Sequence, residues 1–500
     1  MRPRRLVLPP PSVLRRAALG LRPLAWALLA LVAAGPGCGA GSDSPDPGGP
    51  RAASRVLVIG CDGLEWSVLR PLLQAGKCPS LATLMQRGSF GRLATLSRTL
   101  SPVVWTTVAT GRMPKDHGIL DFLDGDKVYT SSQRRVRALW NIADQHGLST
   151  NMFGWFITWP AEEVKGLVVS GSSSSALSDA NWKPALVPSV ERQVWPPARE
   201  PEVMALAEQA GTREHITAIA REHVYGVLPD GLLDKEQLLV QQQTLWSIAA
   251  DETYFELARH YIQQVPADLN LVYFGGTDVV SHRYWRQYQP EGFQWSNGAE
   301  ADAALAHVIP NYYEWVDSMI GELVAAAGPD ATVIVLSDHG FHAISQDAPN
   351  AEHMTGHHLD APPGVIVAAG PGIVVQGEYE RFLESGALAS LGSVVDVAPT
   401  ILALLGIPGA RDMEGRANKL LLAPGPARDA AALPPVESHD VGFRPPLAVP
   451  VPSEMDASFR EKFKTLGYFG LGLDPEEDIH VVPPAAAPGP DSPAPGGAPR

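Results

Sequence analysis

The stretch Arg55 to Gly63 constrains the fold of this chain more than any other. Four consecutive apolar residues, Val56 to Ile59, include three β-branched residues and predict a strand buried on both faces. Such a strand indicates an α/β fold with a mostly parallel sheet, in which sites form at the carboxyl ends of strands. Asp62 follows the strand directly. It is therefore either a cap for the next helix or part of a site.

Acids and histidines follow two further predicted strands. Asn270–Phe274 precedes Asp278 and His282, which are four residues apart and would share one face of a helical turn. The strand Thr332–Leu336 precedes Asp338 and His339, and His358 lies in a loop before a fourth strand at Gly364. Together with Asp62, these are three carboxylates and three imidazoles. This set suits zinc, manganese or iron and could hold two ions.

The stretch Ser97 to Gly111 is rich in hydroxyl groups. Ser101 precedes Pro102, which is typical of a helix start, so Ser101 could be a simple cap residue. A helix N-terminus also presents free N–H groups to an anion. Ser101 is therefore also a candidate nucleophile.

Residues 1–37 are typical of an export signal. Six arginines and no acid precede the apolar run Leu24–Ala34, whose 11 residues are short for a membrane span. Small residues then lead to Cys38, as in a bacterial lipoprotein signal. Pro36 is atypical there, so ordinary signal cleavage and a retained anchor helix stay open. We expect the bacterial cell envelope as the location, with a lipid anchor on Cys38.

The rest of the chain divides into a tether, a catalytic domain and a tail. Residues 38–54 form a Gly/Pro/Ser-rich flexible tether and 55–475 the catalytic domain, with an inserted cap subdomain at about 172–264. The tail 476–500 is rich in Pro, Ala and Gly and is expected to be disordered. Without residues 1–37, the net charge of −15 becomes −21 because six arginines are lost, which argues against a nucleic-acid partner. Apart from Cys38, the expected site of the lipid, the cysteines are Cys61 and Cys78, and both are expected to be unpaired.

The ordered motifs resemble the type I phosphodiesterase/nucleotide pyrophosphatase branch of the alkaline phosphatase superfamily. The resemblance runs from about residue 55 to 470 and implies a three-layer α/β/α sandwich. Its motifs are Val58–Gly63, Ser101–Thr106 with Thr110-Gly111 and His117–Ile119, Gly276–His282, Leu336–Gly340, Gly356–His358, Val395–Thr400, Asp412–Arg416 and Leu466–Tyr468.

The resemblance implies a role for each matching position. Asp62, Asp338 and His339 would hold one metal together with the nucleophile, and Asp278, His282 and His358 would hold the other. Ungapped spacing places the nucleophile at Ser101, with Thr99 as the alternative if two residues are inserted. His357 is the alternative to His358. Zinc is expected, with manganese as the second choice.

Three departures from related patterns reduce the range of expected substrates and reactions. Val104 stands where nucleotide pyrophosphatases carry a phosphate-binding asparagine, which weakens the case for a nucleotide substrate. Val103 and Trp105 stand where a sulfatase would carry proline and arginine, and the membrane helices of phosphoethanolamine transferases are missing from the sequence.

The sequence thus predicts a two-metal hydrolase of phosphate esters that forms a phosphoseryl intermediate. Phosphodiesters are the favoured substrates, as a small molecule or a lipid headgroup. A phosphomonoesterase, or a phospho- or sulfotransferase, is the alternative within the superfamily. A non-catalytic surface binding protein is the alternative of another class.

Overall fold

The computed structural model describes residues 51–125, 127–171, 185–186, 190–291, 293–294, 296, 298–345, 354–451 and 478–483. Several predictions fall outside these residues. They are the signal 1–37, Cys38 with most of the tether, the first part of the insertion, the Leu466–Tyr468 motif and the tail from residue 484. Among the described residues, none of the helices has the length and apolar character needed to cross a bilayer.

Strands and helices alternate along most of the chain. The strands are β1 Arg55–Cys61, β2 Gly88–Ala94, β3 Leu123–Asp124, β4 Lys127–Val128, β5 Thr150–Phe153, β6 Gly166–Val169, β7 Val194–Trp195, β8 Leu269–Phe274, β9 Ala331–Leu336, β10 His342–Ala343, β11 Gly356–His357, β12 Gly364–Ala369 and β13 Ser390–Ser393. The helices are α1 Trp66–Gln74, α2 Pro79–Arg87, α3 Ser101–Thr110, α4 Pro114–His117, α5 Leu139–Gln145, α6 Glu200–Ala210, α7 Arg213–Ile219, α8 Lys235–Gln264, α9 Gly276–Tyr288, α10 Ala299–Leu305, α11 Val308–Ala327, α12 Tyr379–Ser385, α13 Val397–Leu404 and α14 Pro426–Ala431.

Nine of the described strands form one mixed sheet in the order β13-β2-β12-β9-β1-β8-β5-β6-β7. Strand β1 lies at its centre and pairs in parallel with β8 on one side and β9 on the other. Within this sheet, only β12 and β7 are antiparallel to the other strands. The carboxyl ends of β1, β8 and β9 therefore meet at one edge, and the start of the antiparallel β12 reaches the same edge.

Helices cover both faces of the sheet, as the buried strand pattern predicted. Alternate side chains of β1 enter two apolar clusters, with Leu57 and Ile59 in one and Val56 and Val58 in the other. The first cluster includes side chains of α1, α2, α8, α9 and α11, and the second includes those of α3, α5 and α13. The α/β class with a mostly parallel sheet and flanking helices is confirmed.

The described part of the predicted insertion is built into this framework. Strand β7 forms one edge of the sheet by pairing with β6, and α8 packs against β5 and β8. Side chains of α6, α7 and α8 share the first apolar cluster with β1. The helices of residues 200–264 are therefore part of a layer that covers the sheet.

The sequence prediction was wrong about the start of the tail, and β2 and α1 are among the elements that it missed. Residues 478–483 are not disordered, because the Ser97 N–H donates to the His480 carbonyl at 2.8 Å and the Val482 N–H donates to the Thr95 carbonyl at 2.8 Å. These backbone bonds add a short strand-like segment that composition alone does not indicate. Strand β2 was missed because it contains two glycines, and α1 because it is short and contains Pro71.

Candidate metal and catalytic site

The sequence-predicted ligands converge at the edge where β1, β8 and β9 end. Asp62 follows β1, Asp338 and His339 follow β9, and Asp278 and His282 lie in the first two turns of α9, directly after β8. His358 joins them because it precedes β12, whose Ile366 is paired with Leu336 near the end of β9. All six side chains are buried. The predicted six residues therefore share one site.

Asp62, Asp338 and His339 form what we call the strand ligand set. The Nε2 atom of His339 lies 3.5 Å from Asp62 Oδ1 and 3.2 Å from Asp338 Oδ2, although neither approach has hydrogen-bond geometry. The Gly63 N–H donates to the other Asp338 oxygen at 3.2 Å. One nitrogen and two oxygens thus face a common point, as three ligands of one metal would.

Asp278, His282 and His358 form what we call the helix ligand set. The Oδ1 atom of Asp278 lies 3.4 Å from His282 Nε2 and 3.6 Å from His358 Nε2. The second ring nitrogen of His282, Nδ1, lies 2.9 Å from the Gly356 carbonyl, so an Nδ1–H donor would leave Nε2 as the ligand atom. The rings of His339 and His358 stack with centroids 3.9 Å apart, which brings the two sets into contact.

The donor atoms of these sets fit divalent metal ions. Asp62 Oδ1, Asp278 Oδ1, Asp338 Oδ2 and His339 Nε2 are buried and have no hydrogen-bond partner among the described residues. Within the two sets, the potential ligand atoms form two groups whose members all lie within 4.8 Å of one another. One group is Asp62, Asp338 and His339, and the other is Asp278, His339 and His358. Buried polar atoms are normally paired, so four unpaired atoms in these two adjoining groups indicate a site for cations.

The pKa shifts of Asp62 and His339 also favour a site for cations. Burial raises the pKa of Asp62 well above its ordinary value, and the nearby Asp338 and Asp278 raise it further, while His339 and Tyr273 lower it. Burial lowers the pKa of His339, but Asp338 and then Asp62 outweigh this and bring its pKa to about 9. Without metal, the raised pKa values of Asp62 and His339 favour a proton on the Asp62 carboxyl group and the imidazolium form of His339. Bound cations would take over that charge balance.

Ser101 is buried at the first position of α3, where the sequence predicted a helix start. One turn later on the same helix face, the Trp105 indole N–H donates to Asp62 Oδ2 at 3.0 Å. This contact ties the first turn of α3 to the strand ligand set. The N-terminus of a ten-residue helix also favours negative charge at this point.

Thr99 has a different position. Its hydroxyl donates to the His358 carbonyl at 2.7 Å and lies 3.3 Å from His358 Nδ1. The hydroxyl thus contacts both the backbone and the ring of a ligand in the helix set. An imidazole that is held at Nδ1 presents Nε2 to a metal.

His357 and Val104 belong to neither group of ligand atoms. The His357 side chain faces His342 on the opposite strand, with ring centroids 4.2 Å apart. Burial, together with His342 and His282, lowers the pKa of His357 to about 4. Val104 is fully buried in the second apolar cluster.

Sequence reasoning missed several residues that hold the ligands in place. The Tyr273 hydroxyl donates to Asp62 Oδ2 at 2.5 Å, so with Trp105 it leaves Oδ1 as the available ligand oxygen. Thr277 donates its hydroxyl to the Asp62 carbonyl. Tyr273 is the penultimate residue of β8 and Thr277 lies just before Asp278, so closeness to the predicted strand end was the one usable signal.

Comparison with known families gives one match that covers most of the chain. A family model described as type I phosphodiesterase/nucleotide pyrophosphatase matches residues 56–396. This range contains every residue of both ligand sets and Ser101.

Matches to individual proteins are shorter or more distant. A 2,3-bisphosphoglycerate-independent phosphoglycerate mutase of Picosynechococcus sp. is 34% identical over 117 residues, which are 23% of this chain and 20% of the mutase. This chain therefore spans about a fifth of the length of the curated mutases that it matches.

The solved structures that match this chain have low sequence identity. Murine ectonucleotide pyrophosphatase/phosphodiesterase 5 in complex with AMP has a TM-score of 0.41 and 11% identity. The match covers 74% of this chain and 100% of that chain. A 2-O GAG sulfatase has a TM-score of 0.42 and 14% identity, covering 73% of each chain.

Proposed function

Because this chain belongs to the type I phosphodiesterase/nucleotide pyrophosphatase family, we propose that it hydrolyses phosphodiesters with Ser101 as the nucleophile. The main support is the set of four buried, unpartnered donor atoms at the edge where β1, β8 and β9 end. This edge also receives the N-terminus of α3, through the bond from Trp105 to Asp62.

The two ligand sets are the proposed holders of two divalent metal ions. Asp62, Asp338, His339 and the Ser101 oxygen would hold one, and Asp278, His282 and His358 the other. The ions, with zinc favoured over manganese, would supply positive charge and Lewis acidity to a bound phosphate ester.

Ser101 carries the covalent chemistry in this proposal. Its hydroxyl loses a proton and the oxygen attacks phosphorus, while the bond from phosphorus to the leaving alkoxide breaks and the alkoxide takes up a proton. Water then attacks the phosphoserine, which releases a phosphomonoester and restores the serine hydroxyl. The positive end of α3 stabilises the serine oxygen as it becomes an anion.

The contacts of Thr99 support Ser101 as the nucleophile. Thr99 donates its hydroxyl hydrogen to the His358 carbonyl, and its oxygen lies against the ring of the same residue. A reaction at Thr99 would remove both contacts from a proposed metal ligand. Likewise, the contact of His357 with His342 supports His358 as the ligand.

Phosphomonoester hydrolysis or phosphoryl transfer is the second candidate. It is favoured by the match to phosphoglycerate mutases, whose name describes the transfer of a phosphate within a phosphomonoester. The buried position of Val104 is a further reason to test substrates other than nucleotides, because this side chain lies in the apolar core.

A screen of chromogenic phosphate mono- and diesters with the zinc- or manganese-loaded protein tests the proposal. We expect the highest kcat/KM with a diester, and loss of activity after chelation. A preference for monoesters would favour the second candidate. Bound metal without turnover of any ester would favour a binding protein.

We further propose that the protein is exported to the bacterial cell envelope and anchored through a lipid on Cys38. The sequence of residues 1–38 is the support for this proposal. Fractionation of cells that express the Cys38→Ser variant tests it. Release of the variant from the membrane fraction, or a block in its maturation, is expected. A soluble wild-type protein with a different mature N-terminus would contradict the anchor.

A further inference from the structure

Helix α9 carries two ligands of the helix set, and its N-terminus is capped by a side chain from another helix. Its N-cap residue is Gly275, which has no side chain to accept the first N–H groups. The Asp251 carboxylate of α8 accepts these N–H groups instead. Its Oδ1 accepts from the Gly275 N–H at 2.9 Å, and its Oδ2 accepts from the Gly276 N–H at 3.0 Å.

The Asp251 carboxylate is itself held in place. The Tyr312 hydroxyl of α11 donates to Oδ2 at 2.9 Å, and the Asp251 side chain is almost completely buried, at 2% exposure. A Cβ atom at position 276 would overlap Tyr312 and lie 2.7 Å from Asp251 Oδ2. Glycine at this position therefore permits the close approach of the carboxylate to the backbone.

This cap lies two residues from a proposed metal ligand. Asp278 follows Gly276 after a single residue, Thr277, which donates its own hydroxyl to the Asp62 carbonyl. The first turn of α9 is thus tied to α8 on one side and to the end of β1 on the other. A shift of this turn would move both Asp278 and His282.

We propose that Asp251 is a positioning residue that sets the metal affinity of the helix ligand set. This inference rests on the proposed role of Asp278 and His282 as metal ligands. Asp251 does not touch the metal in this proposal, and it acts through the peptide N–H groups that orient the first turn of α9. Residues that orient ligands in this indirect way commonly change metal affinity by about 10- to 100-fold.

The chain contains a matched control for this role. Asp317 of α11 caps α2 in the same way, because it accepts from the Ser80 N–H at 2.9 Å and the Leu81 N–H at 2.8 Å. It is equally buried, at 1% exposure. Helix α2 carries none of the six ligands. Asp317→Asn therefore removes a buried cap of the same kind without displacing a ligand.

Zinc titration of the metal-free protein against a fluorescent chelator gives the test. In Asp251→Asn, the amide has one oxygen acceptor for the N–H groups of Gly275 and Gly276, so one of them loses its partner. We expect the affinity of one zinc site to fall by about 10- to 100-fold while the other stays unchanged. Asp317→Asn is expected to lower thermal stability to a similar extent and to keep both affinities.

Two results would overturn the inference. One is wild-type affinity at both sites in Asp251→Asn, and the other is an equal loss of affinity in Asp317→Asn. If Asp251→Asn does not fold, Tyr312→Phe replaces it, because this variant removes the bond that holds the carboxylate. A weakening confined to one site is again expected, and unchanged affinities overturn the inference. A wild-type protein that binds no zinc would instead refute the proposed function itself.

Discussion

The two ligand sets reach the same site by different structural means. The strand ligand set follows directly from β1 and β9, two neighbouring strands whose register is fixed by the parallel ladder. The helix ligand set lies on α9 and on the loop before β12. Its side chains are oriented by bonds from separate parts of the chain, namely the Gly356 carbonyl, the Thr99 hydroxyl and the Asp251 carboxylate. The strand set is thus placed by backbone pairing in addition to the bonds from Trp105 and Tyr273 to Asp62, whereas the helix set depends on a few specific contacts outside a strand ladder.

This difference predicts which set is more sensitive to substitution outside the ligands. A ladder of backbone bonds does not depend on any single side chain, so loss of one supporting contact should leave the strand set nearly in place. Each contact of the helix set is specific to one side chain or one carbonyl. Loss of such a contact should shift its ligand and lower metal affinity.

The largest expected effect concerns Ser101, because its helix bonds the strand ligand set through Trp105 and the nearby Thr99 contacts His358 of the helix ligand set. Ser101→Ala removes the proposed nucleophile without removing the contacts of Thr99 and Trp105. We expect turnover to fall by about 1000-fold or more, which corresponds to ~4 kcal/mol of transition-state stabilisation. Zinc content should stay at the wild-type value. Steady-state kinetics and metal analysis of the same preparation check both results.

Mapping of the phosphorylated residue in acid-quenched enzyme gives an independent measurement. A label on Ser101 is expected. A label on Thr99, with Ser101→Ala still active, would reverse the assignment. It would also mean that Thr99, which contacts His358 of the helix ligand set, is the nucleophile.

The next largest effect is expected in the pH dependence of the unfolding equilibrium of the metal-free protein. It should have opposite signs for His339 of the strand ligand set and His358 of the helix ligand set. The pKa of His339 is raised from 6.5 to about 9, so the folded state binds this proton more tightly than the unfolded chain. The resulting stabilisation is complete below pH 6.5 and is lost as the pH rises through 9. Within that window the unfolding equilibrium can change by up to about tenfold per pH unit.

His358 should behave in the opposite way. Burial, and then the nearby His339 and His282, lower its pKa well below 6.5. The unfolded chain therefore takes up a proton that the folded state does not, and stability falls as the pH drops below 6.5. Denaturant unfolding of wild type, His339→Gln and His358→Gln across this range gives the two differences. Parallel curves for the three proteins would contradict both signs.

The same contrast explains how much of the site could be predicted from sequence. Asp62 and Asp338 were found because β-branched runs mark the strands before them, and Asp278 and His282 because a spacing of four residues fits a helix. The mutual proximity of His339 and His358 could not be derived from spacing. It depends on the antiparallel placement of β12 beside β9, which periodicity does not reveal.

The supporting residues were harder to predict than the ligands. Asp251 lies within a 30-residue helix and has no local signal that marks it as the cap of another helix. Thr99 was considered only as a nucleophile, because its contact with His358 joins residues 259 positions apart. Such contacts are set by tertiary packing. The fold class, by contrast, follows from local patterns of burial.

Loss of the contact between Thr99 and His358 in the helix ligand set should have a moderate effect on zinc affinity. Thr99→Val keeps the shape of the side chain but removes the hydroxyl beside His358. We expect zinc affinity at one site to fall by about tenfold, because the imidazole loses a contact at Nδ1. Thr106→Val is the control, since the Thr106 hydroxyl is buried and donates to the Pro102 carbonyl of its own helix. Equal affinities in the two variants would contradict the role given to Thr99.

The smallest effect is expected in the strand set, at Tyr273. Tyr273→Phe removes one of two donors to Asp62 Oδ2, and the Trp105 indole remains as the other, at 3.0 Å. Since the sheet register also holds Asp62 in place, zinc affinity should change by no more than about threefold, below the usual effect of such contacts. Tyr254→Phe, which removes a hydroxyl bonded to the Ser170 carbonyl, is the control for loss of a phenol group. If Tyr273→Phe weakens zinc as much as Thr99→Val does, backbone pairing does not protect the strand set, and the contrast between the two sets is wrong.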